Sequence, residues 1–302
     1  MANIKAWIGS FRLRTLPLAL SCTGMGSFLA AGYRLFNLKV FILTSATAIL
    51  LQVLSNLAND YGDTVKGTDN EERVGPQRAL QSGAISLKAM RNAIIICAAM
   101  ALVCGCWLLC EATEGNSTMF ILFLLLGLGC IAAAIRYTVG KKPYGYSGMG
   151  DIAVFIFFGL VGVDGTFYLH THALPPSVLL PAISLGFLSA GVLNVNNMRD
   201  IKNDEASGKR TVVVRMGLDS AKRYHTFLIL AAIASMLGFS FMHYSSPWNW
   251  AFVVALPLLL IQLKNILKEP SEQMDKYLKQ LSLTTLLMVL CFGIASIYFP
   301  YV

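Results

Sequence analysis

Two short acidic stretches carry the residue types that could do chemistry. One is Asn59-Asp60-Tyr61-Gly62-Asp63, running on to Asp69. The other is Asn196-Asn197-Met198-Arg199-Asp200-Ile201-Lys202-Asn203-Asp204. Each closes a long apolar run, and each sets an Asn four residues before an Asp. Residues four apart share one face of a helix. Asn196, Asp200 and Asp204 therefore form one stripe, and Asn59 with Asp63 another. Asp60 and Asp63, three apart, can reach one cavity, with Asn56 on a neighbouring face. Carboxylates crowded at a helix C-terminus repel one another and oppose the helix macrodipole. A hard divalent cation relieves both. Mg²⁺ keeps few protein ligands and shares its remaining positions with phosphate oxygens. The expectation is that Asp60, Asp63, Asp200 and Asp204 hold Mg²⁺ and a diphosphate between two helix ends, with Asn56 and Asp69 as further candidates for the metal.

Basic residues stand where such an anion needs them. Gly208-Lys209-Arg210-Thr211 and then Arg215 follow the second cluster, and Arg78 in Gly75-Pro76-Gln77-Arg78 follows the first. Arg and Lys are the side chains that bind phosphate oxygens. Tyr137 and Lys141 share a helical face if the helix before them continues that far, and Lys141 could then neutralise a departing diphosphate. All these basic residues also serve as anchors at a membrane surface, and Arg12 and Arg14, ahead of Pro17 in a first helical turn, are expected to do only that. Asp164 is an intramembrane acid or lies at the wet outer end of its helix. His170 and His172, two apart on an outer loop, make a weak metal pair. The order G-x-x-x-x-G-K-[ST] is absent, as are H-E-x-x-H, a dinucleotide fingerprint and a Ser-His-Asp set.

The elements that position these residues are membrane helices. Of 302 residues, 56% are hydrophobic and 13% charged, about half the charge of a soluble domain, and the mean hydropathy is +0.62. Nine apolar runs are long enough to span a bilayer: Leu16–Gly32, Val40–Ala58, Met90–Leu109, Met119–Tyr137, Ile152–Leu169, Ser177–Val195, Tyr224–His243, Trp248–Leu263 and Leu281–Tyr298. With the N-terminus in the cytoplasm, all but Arg34 and Lys39 of the 24 Lys and Arg fall on inner segments, as the positive-inside rule requires. The loop after the second helix, for example, holds Lys66, Arg73, Arg78, Lys88 and Arg91. Both acidic stretches then face the cytoplasm. The net charge of +8 reflects this alternation, not a nucleic-acid surface. The seven Cys make no C-x-x-C pair and read as small buried hydrophobes. Met1 to Lys5 lacks the pattern of a cleaved signal peptide.

The acidic stretches lie after the second and sixth helices, four helices apart. This predicts a single all-α domain over 1–302 with an internal four-helix repeat, about 16–140 and 150–265, and an added ninth helix at about 281–298. Such repeats place a shared site at their interface in enzymes and transporters alike. A cation-coupled transporter therefore stays open on this pattern alone, although its coordinating groups would belong near the bilayer midplane.

The paired motifs resemble those of the UbiA superfamily of membrane prenyltransferases. Asn59-Asp60-x-x-Asp63 matches its N-D-x-x-D pattern, Asp200-x-x-x-Asp204 its D-x-x-x-D pattern, and Tyr137 with Lys141 its Tyr-x-x-x-Lys. Leu13 to Pro17, Asn59 to Gly67, Gly75 to Gly83, Gly140 to Asp151 and Asn196 to Gly217 are similar to the branch that prenylates 1,4-dihydroxy-2-naphthoate in menaquinone synthesis. One departure is that Gly67 stands where many members carry an Asp, with Asp69 two residues on. The resemblance implies a UbiA-like bundle in a bacterial cytoplasmic membrane, its site facing the cytoplasm. It implies Mg²⁺ as cofactor, and polyprenyl diphosphate, the dihydroxynaphthoate and membrane lipid as partners. Asp63, Asp200, Lys141 and Tyr137 would be catalytic. Asn59, Arg78, Lys142, Asn196, Lys209 and Arg210 would bind the diphosphate or the acceptor, Lys142 at the acceptor's carboxylate, and Phe155, Phe157 and Phe158 could shield an allylic cation. The same scaffold could take another aromatic acceptor, such as 4-hydroxybenzoate.

An odd number of helices puts the two chain ends on opposite sides. A phosphatase reporter fused after the last residue is expected to be active outside the cytoplasm and a fluorescent protein there to stay dark; the reverse result would break the assigned topology.

Overall fold

The computed structural model describes residues 4–69, 75 and 77–301. Arg73 and Pro76, both named above, lie outside the described residues. Among the described residues, nine segments are long and apolar enough to cross a membrane: α1 Ile4–Gly32, α2 Leu38–Val65, α3 Leu87–Ala112, α4 Ser117–Arg136, α5 Gly150–Thr171, α6 Pro176–Arg199, α7 Leu218–Met242, α8 Pro247–Lys268 and α9 Asp275–Tyr298. No strand occurs among the described residues. The helix count and order match the sequence reading, and most ends differ by a few residues. Polar side chains start several of the helices. Asn37 accepts the backbone N–H groups of Lys39 and Val40 before α2, Ser86 caps α3 and Asn116 caps α4, which satisfies donors that have no partner within the helix.

The first segment departs most from expectation. Helix begins at Ile4, twelve residues ahead of Leu16, and runs to Phe11. It then breaks at Arg12, which adopts the left-handed conformation with φ 50°, and resumes after a single turn, Leu13–Thr15. A non-glycine residue held there is strained. Here the break turns Arg12 and Arg14 inward. Asn56 fixes it from α2: its side-chain amide donates to the Phe11 carbonyl and to Thr15 Oγ1, both at 3.0 Å.

Helix α6 is the most buried span, and α4 is the least. A large apolar core surrounds α6, taking in Met25 and Leu29 of α1, Val163 and Phe167 of α5, Met236 and Phe239 of α7, Phe252 and Leu259 of α8, and Met288 and Phe292 of α9. A separate cluster joins α2 to α3 through Leu54, Leu57, Met90 and Ile94. Without water to drive apolar surfaces together, membrane helices depend on close packing at small residues. Gly159 and Gly186 supply it between α5 and α6. A Cβ on Gly159 would meet the Ala182 carbonyl at 2.7 Å, and one on Gly186 would meet the Phe155 ring at the same distance. Residues Phe155–Gly165 of α5 form a wide π-helical stretch. At the end of the bundle away from the acidic stretches the chain folds back over α1: Tyr301 donates its backbone N–H to Gly32 at 2.8 Å, and its ring lies among Tyr33, Phe239 and His243.

Beyond Arg199 the chain does not stay helical. Asp200 breaks the helix, a short helix Ile201–Ala206 follows, and a second, Val212–Met216, is capped by Thr211. Helix α2, by contrast, runs unbroken through Asn59, Asp60 and Asp63. At Gly62 it presses against the residues that follow α4, where a Cβ would fall 2.6 Å from Thr138 Oγ1 and 2.7 Å from the Thr138 carbonyl carbon. Gly62→Ala is expected to push these elements apart and destabilise the protein by about 1–3 kcal/mol, seen as a lowered thermal midpoint of the purified protein in detergent.

Candidate active site

One cavity of about 400 Å³ runs between α1, α2, α3, α4, α5 and α6 and touches α9. It is amphipathic along its length. Its polar end is walled by Arg12, Arg14, Asn56, Asn59, Asp63, Asp69, Arg78, Tyr137, Asn196, Asp200, Asp204 and Lys209, and its other end by Leu102, Leu109, Leu124, Phe157, Phe158 and Leu169. The two acidic stretches, more than a hundred residues apart in sequence, meet at the polar end.

Each acidic side chain there has its own support. Asp63 accepts a hydrogen bond from Tyr146 Oη at 2.8 Å. The one phenolic proton is then committed, so Thr68 Oγ1, at 2.6 Å from the same oxygen, is the donor to it. Asn203 donates to the Thr68 carbonyl at 2.9 Å, which ties the second acidic stretch to the first. Lys66 and Lys209 both approach the Tyr146 ring, with Nζ 5.3 and 5.5 Å from its centroid, the geometry of a cation–π contact. The Thr138 hydroxyl donates to the Ala58 carbonyl at 2.9 Å and lies 3.3 Å from Asn59 Oδ1.

Asp200 is held by its neighbour. Arg199 donates from Nε to Asp200 Oδ1 at 2.8 Å and from Nη2 to Oδ2 at 2.5 Å, and its Nη2 also reaches Asn196 Oδ1 at 3.0 Å. Its Nη1 binds Asp275 of α9, whose two oxygens accept from Arg14 Nη1 at 3.1 and 3.0 Å. Asp204 lies 3.3 Å from Lys209 Nζ. Burial pushes the Asp204 carboxyl up to about 6, Lys209 opposes this, and the charges of Asp200 and Asp63 add to the rise. Burial favours the neutral amine of Lys209, but Asp204 and Asp63 outweigh it and hold the ammonium well above its ordinary value. Burial raises Tyr137, which makes it a phenol, not a phenolate, at neutral pH.

A divalent cation fits these residues. The side chains are oxygen donors of the type hard cations take, and Asp204 Oδ2 is buried with no hydrogen-bond partner. Among the described residues no group of three or more His, Cys, Asp or Glu is gathered for one ion. Mg²⁺ needs only one or two carboxylates from a protein and takes its other ligands from substrate phosphates and water.

Some of the other expected residues lie on the cavity wall and others do not. Asp60 does not line this cavity. It is fully buried, with Arg12 and Arg78 both on its Oδ1, Arg78 Nε at 3.3 Å, and its Oδ2 is buried with no hydrogen-bond partner. Arg12 and Arg14 are not surface anchors but part of the polar end. Lys141, Lys142 and Arg210 are exposed and lie outside the cavity wall. Tyr137 and Lys141 share no helical face, because α4 ends at Arg136 and Gly140 turns the chain with φ 110°. Phe157 and Phe158 line the apolar end, whereas Phe155 packs on Phe187. Asp164 is buried away from the cavity. His170 bonds Ser27 and the Asn37 N–H, and His172 bonds the Ala112 carbonyl, so they form no metal pair. All seven Cys are free. Tyr146 and Arg199 were missed; Arg199 could have been suspected as a cation inside an acidic motif, while nothing in the sequence marks Tyr146.

Residues 19–286 match the model of the UbiA prenyltransferase family. The chain belongs to that family. Among UbiA relatives, it is 42% identical over 295 residues to the 1,4-dihydroxy-2-naphthoate octaprenyltransferase of Escherichia coli, covering 96% of each chain. It is 44% identical to the Haemophilus influenzae enzyme of the same name, covering 97% of this chain and 96% of that one. The enzyme of that name from Mycobacterium tuberculosis is 36% identical, over 86% and 85% of the two chains. A solved UbiA homolog from Archaeoglobus fulgidus bound to DMAPP and Mg²⁺ superposes with a TM-score of 0.62 at 18% identity, covering 95% of this chain and 98% of that one. An apo UbiA homolog from Aeropyrum pernix gives 0.65 at 17% identity, over 91% and 97%. These two likenesses establish the bundle as a UbiA fold.

Asp60 tests the electrostatics of the polar end. Replacing Arg12 with Met leaves a wholly buried carboxylate with one partner fewer. This is expected to cost about 3 kcal/mol, measured by chemical denaturation in detergent, with part of the loss recovered when Asp60→Asn is added.

Proposed function

We propose that the chain transfers a polyprenyl group from its diphosphate to 1,4-dihydroxy-2-naphthoate, releasing pyrophosphate and CO₂, in the cytoplasmic membrane of a bacterium with the polar end of the cavity facing the cytoplasm. The observation that carries this reading is the junction of the two acidic stretches with Arg12, Arg14, Arg78 and Lys209 at the mouth of a continuous apolar chamber. A ligand with a diphosphate head and an isoprenoid tail matches both halves of that space. The relatives of 42–44% identity, named for this acceptor along nearly their whole length, support the acceptor.

In this reading Asp63, Asp200 and Asp204 supply carboxylate oxygens to Mg²⁺, with Asp69 and Asn59 beside them. The bound ion would draw charge off the diphosphate as the C–O bond weakens. The guanidiniums of Arg12, Arg14 and Arg78 and the ammonium of Lys209 take up the charge left on the departing group. Asp60 holds two of these arginines in place. Tyr137 remains a neutral donor at the edge of the head-group space. Phe157 and Phe158 present ring faces to the allylic cation and keep water from it. The ring carbon bearing the carboxylate forms the new C–C bond. Its bond to the carboxylate then breaks, CO₂ leaves, and the electron pair restores the aromatic ring. No base is needed for that step.

Membranes given polyprenyl diphosphate, Mg²⁺ and the dihydroxynaphthoate should release pyrophosphate and CO₂ in equal amounts. Pyrophosphate release with 4-hydroxybenzoate and none with the dihydroxynaphthoate would replace the acceptor. Asp63→Asn and Asp200→Asn are each expected to lower turnover by about 10²-fold or more in protein that still melts cooperatively; near-normal Mg²⁺-dependent turnover in either would remove that residue from the metal.

A further inference from the structure

Asp275 opens α9, outside both acidic stretches, and does not line the cavity. Its carboxylate nevertheless completes a chain of alternating charge. Arg14 donates to both of its oxygens, Arg199 reaches it through Nη1, and Arg199 in turn spans both oxygens of Asp200. The Arg199 side chain is completely buried, whereas that of Asp275 is 39% exposed. A guanidinium placed across both oxygens of a carboxylate competes for that carboxylate with any cation arriving from the other side. Asp275 weakens this competition by drawing on the same guanidinium. Arg14 and Arg199 balance Asp200 and Asp275; without Asp275 the group carries one net positive charge beside the place Asp200 offers to a cation.

We propose that Asp275 is a positioning residue for prenyl transfer, acting through Arg199 to hold Asp200 toward the cavity with its charge available to a divalent cation. The ninth helix, which already touches the cavity through Leu278 and Ser282, thereby also bears on the charge of its polar end. This inference rests on the reading of Asp200 as a cation ligand.

Asp275→Asn keeps the size of the side chain and an oxygen for Arg199 while removing the charge. Purified wild type and variant in detergent are titrated with Mn²⁺ in the presence of inorganic pyrophosphate, without turnover, and followed by electron paramagnetic resonance. The variant is expected to bind Mn²⁺ about tenfold more weakly, the size of effect one partly screened charge exerts at close range. Its thermal midpoint should stay within a few degrees of the wild type, and Asp275→Glu should recover most of the affinity. Unchanged Mn²⁺ affinity overturns the proposal. So does a loss that Asp275→Glu fails to recover, or one that accompanies the disappearance of cooperative melting, since either marks a role in folding alone. Asp200→Asn separates the two readings. If it binds Mn²⁺ as the wild type does, the assignment of Asp200 itself fails; if it binds weakly while Asp275→Asn binds normally, only the relay through Arg199 fails.

Discussion

A charge carried into apolar surroundings must bring its own partner, and the polar end of this molecule is built around that requirement. Isolated ions are costly to bury, and a buried pair persists only with good geometry and further hydrogen bonds. Asp60 meets the condition with Arg12 and Arg78. Asp200 meets it with Arg199, and Arg199 with Asp275. The single turn at Arg12 to Thr15 feeds both sets, because the left-handed backbone at Arg12 lets residues two apart reach carboxylates on different helices. The strained residue is therefore where the two acidic helix ends are registered against each other.

This arrangement sorts the carboxylates into two groups. Asp60 and Asp275 face arginines and lie off the cavity wall, while Asp63, Asp200 and Asp204 reach it. The first group neutralises and aims cations that the head-group space needs. The second brings negative charge to that space, moderated at Asp204 by Lys209, at Asp63 by the Tyr146 hydroxyl and at Asp200 by Arg199. Motif membership alone does not distinguish them, since Asp60 and Asp63 are neighbours in one pattern. Three residues offset the two side chains by only about 60° around the helix, and that small offset leaves Asp63 on the cavity wall and Asp60 against Arg12 of α1.

The helices were legible because their cause is one-dimensional. Nine apolar runs and the alternation of Lys and Arg depend on composition along the chain, and the bilayer permits few other solutions. The meeting of the acidic stretches was legible for a similar reason, as two like patterns at matching helix ends. What escaped was decided in three dimensions. Arg12 and Arg14 look like any basic pair before a membrane helix, and only the break at Arg12 turns them inward. Lys141 fits a spacing that presumes a continuous helix, which Gly140 interrupts. Tyr146 reaches Asp63 from a loop whose path no periodicity encodes. Asp275, far along the chain from either motif, acquires its place through Arg14 and Arg199.

The end of the bundle away from the acidic stretches adds a mechanical aspect. Tyr301 bonds to Gly32 there, and Asp275 bonds to Arg14 at the opposite end, so α9 and the residues just after it are fastened to α1 at both extremities. Sliding α9 along α1 would have to break both attachments together, which guards the balance of charge around Asp200 against slippage of the helix that completes it.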